Sequence, residues 1–172
     1  MRYFSLAPVC AFLAFAIVSL LPGEHTAAQQ RTLQDQLVGT WSFVNSTGKR
    51  PDGSPTWGTN PKGQVIFTTD GRFSLQLMRS DLPKYASNNR LKGTPDELRA
   101  TVEGLNAYFG RYSVSESDKT LTFHIEGSSF PNWDGTEQKR PIVSLTPDEL
   151  KYTNPAPSTG GSATELSWRR TK

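Results

Sequence analysis

"KGQVIFTTDGRFSLQLMR", residues 62–79, contains two runs of alternating apolar and polar residues joined by Thr69-Asp70-Gly71. Alternation with a period of two is typical of a β-strand that buries one face. A two-residue turn would pair Phe67 with Ser74, whereas a three-residue loop with a left-handed glycine pairs Phe67 with Phe73. Because only the second register collects the apolar side chains on one face, the stretch predicts a β-hairpin with a three-residue loop.

The strand pattern continues on both sides of this hairpin. Eight runs are predicted to be strands, and they cover residues 37–45, 62–68, 72–79, 107–115, 119–126, 137–145, 149–153 and 163–170. The lengths of the connections alternate strictly. Three are short (69–71, 116–118 and 146–148), and four are long (46–61, 80–106, 127–136 and 154–162). In an up-and-down antiparallel barrel, alternate connections lie at opposite ends. The chain is therefore predicted to be all-β, an eight-stranded antiparallel up-and-down barrel with a closed bottom and an open mouth.

One short helix is predicted over residues 94–106, in the connection between the third and fourth strands. Thr94 is placed as its N-cap and Glu97 completes a capping box. Leu98, Val102 and Leu105 follow at the spacing of one helical face. We expect this face to close over the mouth of the barrel as a lid.

The N-terminal residues have the pattern of an export signal. An apolar run over 3–21 follows Arg2 and ends before a small-residue site at 26–28. The run is also about long enough for an uncleaved membrane anchor, but the pair Pro22-Gly23 and the small-residue site favour cleavage. Residues 1–28 are therefore predicted to be a signal peptide, 29–36 an N-terminal tail and 37–172 the barrel domain. The expected location is periplasmic or secreted, with no membrane span after cleavage.

Composition excludes several classes of function. The net charge is only +3 and no basic cluster is interleaved with aromatic residues, so a nucleic-acid partner is not expected. Cys10 is the one cysteine and lies in the predicted signal peptide. Beyond residue 28 the chain has one histidine, His124, so neither a metal site nor a bound cofactor is predicted. The sequence does not determine an oligomeric state.

Several motifs resemble a known family. "LVGTWSF" (37–43) is similar to the lipocalin signature Gly39-x-Trp41, and Arg169-Arg170 resembles the late arginine that covers that tryptophan. Residues 60–83, 108–114 and 128–140 resemble the bacterial lipocalin-like domain family. The resemblance implies a calycin-type barrel closed at the bottom by Gly39, Trp41, Arg169 and Arg170. For most members it implies no established ligand or reaction.

Candidate ligand-binding residues are those predicted to face the interior or the mouth. They are Phe67, Leu75, Leu77, Arg79, Tyr108, Tyr112, Phe123, Trp133, Arg140 and Tyr152. Alternation breaks at Pro141, so the face of Arg140 stays undetermined. Trp133 belongs to "SSFPNWDGTEQKR" (128–140), a connection at the mouth. It is either a binding lip over a ligand or an anchor of the loop on the barrel rim.

Three functions follow from this architecture. The leading hypothesis is an exported protein that holds a small, largely apolar molecule, oriented by a few polar groups at the mouth. An enzyme of the isomerase or cyclase type, with Tyr108 or His124 as the acid–base group, is the alternative. However, the predicted outer face of its strand favours a solvent-facing His124. A barrel packed shut, with a purely structural role, is the third possibility.

Overall fold

The computed structural model describes Met1 and residues 31–172. The predicted signal peptide and its cleavage site lie outside the described residues. All eight predicted strands are present: β1 Gly39–Ser46, β2 Lys62–Phe67, β3 Arg72–Met78, β4 Leu105–Ser115, β5 Thr120–Ser128, β6 Glu137–Leu145, β7 Glu149–Asn154 and β8 Thr164–Arg170. They form a closed barrel in which each strand pairs with its neighbours in the chain and β8 returns to β1. Every pairing is antiparallel, so the predicted up-and-down topology is confirmed.

The predicted hairpin register is also confirmed. Phe67 pairs with Phe73 and Val65 with Leu75. Gly71, at the end of the three-residue loop, has a φ of 79°, a conformation that glycine adopts without steric cost. The inward side chains of β2 and β3 therefore meet on one face and are almost fully buried.

A short helix at the bottom of the barrel was not predicted. Helix α1 spans Leu33–Leu37 and begins at a capping box between Thr32 and Asp35. The first strand therefore begins at Gly39 rather than at the predicted residue 37, since Leu37 ends this helix. Leu37 is fully buried, and its carbonyl accepts a 2.8 Å hydrogen bond from the indole N–H of Trp41. Five residues are too few to show a helical periodicity, so the sequence pattern does not reveal helix α1. The helix is recognised in the structure, where it packs beneath the barrel.

Trp41 and Arg170 complete the closed end. The guanidinium carbon of Arg170 lies 3.9 Å from the centre of the Trp41 ring. The same guanidinium donates to the backbone carbonyls of Gln36, Val38 and Pro147. Arg169 is exposed on the outside of β8, so Arg170 alone covers the tryptophan.

Gly39 is required at this closed end by both conformation and space. Its φ is 128°, a region that side chains with a Cβ rarely adopt. A Cβ on Gly39 would lie 2.8 Å from Nη1 of Arg170. The spacing Gly39-x-Trp41 thus leaves room for the arginine that covers the tryptophan.

Helix α2, Pro95–Gly104, begins as predicted, because Thr94 and Glu97 form the capping box. Its predicted packing face is wrong. Val102 is 78% exposed and Leu98 is 41% exposed. Leu105 has already joined β4, where it pairs with Met78.

The helix packs instead through its small and polar residues. Glu97, Ala100, Thr101 and Gly104 are the positions that are buried or half-buried. The Tyr85 hydroxyl donates a 3.0 Å hydrogen bond to Thr101 Oγ1, and the N–H of Ala86 donates to Glu97. A Cβ on Gly104 would lie 2.5 Å from Leu82. The packing face of α2 is therefore determined by its contacts with the preceding loop. The helical period of the sequence does not show which residues that loop will contact.

Aromatic side chains fill the interior towards the closed end. The ring of Phe123 lies 4.4 Å from Phe73, and the ring of Phe67 lies 4.9 Å from Tyr112. Tyr112 donates its hydroxyl to the carbonyl of Thr68 in the first short turn. This half of the barrel is packed solid, as is common in small barrels. Within residues 31–172 no helix has the length and apolar character to cross a bilayer.

Candidate ligand-binding site

An enclosed space lies at the open end of the barrel, and we call it the mouth pocket. Three of the long connections line it, through Trp57, Trp133 and the segment 157–159. Inward residues of the strands complete the wall. The connection that carries α2 contributes no residue to this lining, so the helix is not the lid of the mouth pocket. The free volume is about 40 Å³, which is room for a few water molecules.

The structure divides the predicted binding residues into three groups. Leu77, Tyr108, Trp133, Arg140 and Tyr152 line the mouth pocket. Phe67, Leu75, Tyr112 and Phe123 are buried in the core, outside the lining of this pocket. Arg79 also lies outside the pocket, and its guanidinium forms an ion pair with Asp81. The first group alone surrounds free space.

Trp133 enters the pocket from the connection between β5 and β6. A single 3₁₀ turn, Pro131–Trp133, turns the chain inward, and Trp133 is 8% exposed. Its ring meets Tyr108 edge to face at 5.3 Å and Phe130 at 5.8 Å. Trp133 therefore anchors the loop on the barrel rim and also lines the pocket, and its role as a binding lip over a ligand stays a prediction.

Arg140 points into the barrel, which settles the face that the sequence left undetermined. The register of β6 against β7 shifts only after Ile142, so the alternation still holds at Arg140. Arg140 is 2% exposed, and its guanidinium carbon lies 6.0 Å from the centre of the Phe123 ring. The guanidinium donates to the carbonyl of Lys139 at 2.9 Å and to the amide oxygen of Gln138 at 3.4 Å. Both acceptors are neutral.

Two residues that line the same pocket as Arg140 carry polar atoms without partners. The Tyr152 hydroxyl and the side-chain carbonyl of Asn106 are buried and make no hydrogen bond within the described residues, and both residues line the pocket. The buried indole N–H of Trp168 lies close to the Tyr152 hydroxyl and has no partner in regular hydrogen-bond geometry among residues 31–172. Unpaired buried polar groups carry a free-energy cost, which hydrogen bonds to a bound molecule would offset.

The two pocket tyrosines are neutral donors at physiological pH. Burial raises the pKa of Tyr108, an effect that the neighbouring charge of Arg140 partly opposes. Burial raises the pKa of Tyr152 well above its ordinary range, and Tyr108 adds to the rise. Each hydroxyl thus keeps its proton and can donate a hydrogen bond to a bound oxygen.

Sequence reasoning missed several residues of the pocket. Asn106 precedes Tyr108 by two positions on β4, so extending the alternation by one step would have placed it inside. Trp57 and the segment 157–159 belong to irregular connections, where no period exists. Only the closure of the barrel brings these connections together.

His124 lies on the outside of the barrel. Its Nε2 is 3.0 Å from the Ser113 hydroxyl, and its Nδ1 is 3.0 Å from a carboxylate oxygen of Glu137. The side chain of His124 is 40% exposed, as its predicted outward face implies. It therefore cannot act on a molecule in the mouth pocket. No three His, Cys, Asp or Glu side chains are grouped for metal binding in the part of the chain that the structure describes.

Comparison with known proteins agrees with this architecture. The family model of the lipocalin-like domain matches residues 38–171. The chain belongs to the lipocalin-like domain family. The match includes the Gly39-x-Trp41 signature, the arginines of β8 and every residue placed around the mouth pocket.

Individual relatives are more distant. The 4'-hydroxy-3'-methoxypropiophenone carrier protein of Aspergillus oryzae is 33% identical over 106 residues, which cover 56% of this chain and 95% of that protein. A lipocalin-like protein from Bacteroides uniformis is 16% identical to this chain with a TM-score of 0.44. The alignment covers 79% of this chain and 99% of the other. A de novo designed fluorescence-activating β-barrel is 17% identical, covers 80% and 96%, and has a TM-score of 0.42.

Proposed function

We propose that this protein binds a small molecule in the mouth pocket and acts as a carrier rather than as an enzyme. The observation that carries the proposal is the set of buried polar groups without partners beside free space at the open end. A barrel with a purely structural role would gain stability from apolar residues at these positions. Their presence beside free space supports a role in orienting a ligand.

An apolar body for this ligand is supported by the apolar part of the lining, which lies beside small polar residues such as Ser46, Thr56 and Thr164. Trp57, Trp133, Leu77 and Leu166 surround the same space. Aromatic and aliphatic walls with a few convergent polar groups are typical of small-molecule sites. Because the free volume is about 40 Å³, a molecule larger than a few atoms requires Trp57 and the segment 157–159 to move apart.

The relative from Aspergillus oryzae supports the carrier hypothesis through its name. That protein is called a carrier of 4'-hydroxy-3'-methoxypropiophenone, an aromatic ketone with a phenolic hydroxyl. A molecule of this chemistry would present an apolar ring to the tryptophans and oxygens to the polar groups of the pocket. We extend from the relative only the class, a small aromatic molecule with oxygen substituents.

Filling the pocket tests the proposed function. Ser46 lines the mouth pocket near the end of β1, whereas Ser42 lies on the outer surface of the same strand. Ser46→Phe should abolish the fluorescence enhancement of the neutral probe N-phenyl-1-naphthylamine, and Ser42→Phe should leave it unchanged. Equal binding by both variants would contradict the proposed site. Native mass spectrometry of protein from its own host would then identify a retained molecule.

Export is a second part of the proposal. The apolar run at 3–21 and the small residues at 26–28 support cleavage and a periplasmic or secreted location. N-terminal sequencing of the protein from its host should begin near Gln29. Recovery of Met1 or Arg2 from soluble cytosolic protein would contradict export.

A further inference from the structure

The mouth pocket contains a buried positive charge without a negative partner. Among the described residues that line it, Arg140 is the one that carries a charge at neutral pH. None of the ion pairs within residues 31–172 includes Arg140. Arginine is almost never fully buried unless a partner compensates its charge. At 2% exposure, this guanidinium lacks the compensation that its position requires.

The neutral contacts of Arg140 hold it in place without neutralising it. Gln138, two residues earlier on β6, accepts from both terminal nitrogens at 3.4 Å, a distance too long for a strong hydrogen bond. The face of the Phe123 ring supplies a weak cation–π contact at 6.0 Å. The guanidinium is therefore oriented beside free space, with donor capacity remaining.

Two further hydrogen-bond donors lie near Arg140. Tyr152 lines the pocket with an unpaired, fully buried hydroxyl. Tyr108 lines it as well, and burial keeps its hydroxyl protonated. An arginine and two phenols outnumber the unpaired side-chain carbonyl of Asn106 in the same lining, and such a donor-rich set complements an acceptor that carries negative charge.

We infer that the ligand carries an ionised oxygen acid, a carboxylate or a phenolate, whose negative group sits beside Arg140 between Tyr108 and Tyr152. This inference rests on the proposed function and names the chemical class of its ligand. The enclosed volume of about 40 Å³ fits such a group, because a carboxylate has three heavy atoms. The apolar body of the ligand then extends past Trp133 towards the mouth.

Matched pairs of probes separate charge from shape. Benzoate and benzamide form the carboxylate pair, and 4-nitrophenolate and 4-nitroanisole at pH 8 form the phenolate pair. Isothermal titration of the wild-type protein should show at least one ion binding about tenfold or more tightly than its neutral counterpart, as a charge-assisted pair provides. The pair that shows the larger preference identifies which acid the pocket takes.

Two arginine variants test whether Arg140 causes the preference for the ion over its neutral counterpart. Arg140→Met keeps a long apolar stem and removes the charge, so the preference for the ion should disappear while the neutral probe changes less than about threefold. Arg169→Met removes an exposed arginine and should keep the preference. Without ligand, the melting temperature of Arg140→Met should equal or exceed that of the wild type, because an uncompensated buried charge is removed.

The outcomes distinguish this inference from the proposed function. If the neutral naphthylamine probe binds and Ser46→Phe blocks it, but neither ion is preferred or neither binds, the acidic ligand is ruled out and the binding site stands. A preference that survives in Arg140→Met also overturns the inference, since the ion must then bind elsewhere. If Ser46→Phe does not reduce binding of the naphthylamine probe, the proposed function itself is contradicted, together with the inference that rests on it.

Discussion

Replacing Trp41 by alanine should lower the free energy of unfolding by about 5 kcal/mol. Trp41 is fully buried, and truncation of a core tryptophan costs about 3–5 kcal/mol through lost burial and the cavity left behind. Its 2.8 Å hydrogen bond to the carbonyl of Leu37 contributes about 1 kcal/mol more. The stacked guanidinium of Arg170, at 3.9 Å, adds about 1 kcal/mol, and these contributions overlap in part.

Urea denaturation followed by far-UV circular dichroism measures this loss, because tryptophan fluorescence itself changes when Trp41 is removed. Trp41→Phe keeps a ring beneath Arg170 but loses the indole hydrogen bond, so it should cost about 1–2 kcal/mol. Phe109→Ala, at a residue 50% exposed on the outside of the barrel, should cost less than about 1 kcal/mol. A denaturation midpoint for Trp41→Ala equal to that of Phe109→Ala would refute the role given to the closed end.

Three further predictions concern other parts of the fold. Gly104→Leu should destabilise the protein by about 1–3 kcal/mol in thermal denaturation, since the new leucine side chain must displace those of Leu82 and Arg79, whereas Val102→Asp on the exposed face of α2 should change stability by less than about 0.5 kcal/mol. Equal losses would instead favour the predicted packing face with Leu98 and Val102. Tyr152→Phe should unfold at the same temperature as the wild type or at a higher one, because it removes an unpaired buried hydroxyl. The same preparation should bind the preferred ion, benzoate or 4-nitrophenolate, more weakly than the wild type. A less stable variant with unchanged binding would contradict the place of Tyr152 in the site. Backbone hydrogen bonds from Ala86 and Thr94 lower the pKa of Glu97 from its ordinary value of 4.5, so the stability that its carboxylate contributes is present above that value and is lost as pH falls through the lower folded pKa. The difference in unfolding free energy between the wild type and Glu97→Gln should therefore become smaller in acid. A difference that does not change with pH would disprove this linkage.

The candidate site was only partly predictable from the sequence. Tyr108 and Tyr152 were placed correctly in the interior, because each continues an alternating strand. Phe67 and Phe123 were grouped with them for the same reason, yet they fill the core towards the closed end. Alternation distinguishes inside from outside but carries no information on depth along the barrel. Depth depends on the tilt and register of all eight strands together.

Arg140 illustrates a limit of a different kind. Pro141 interrupts the pattern of β6, and a sequence cannot show on which side of a proline a strand shifts its register. The structure places the shift after Ile142, and this leaves Arg140 inward and buried. The residue that defines the chemistry of the mouth pocket is thus the one whose orientation the sequence left undetermined.

Sequence patterns were sufficient to predict the barrel, its strand order, the hairpin register at 62–79 and the ends at which the connections lie. These properties follow from alternation and connection length, which are local, and from antiparallel geometry, which is general. The folded packing was needed to show that α1 seals the bottom, that α2 packs through Glu97, Thr101 and Gly104, and that Arg140 faces free space. Each of these depends on partners distant in the chain. The burial and the hydrogen bonds of a side chain depend on the neighbours that folding brings to it. The periodicity of its own segment does not show which neighbours these will be.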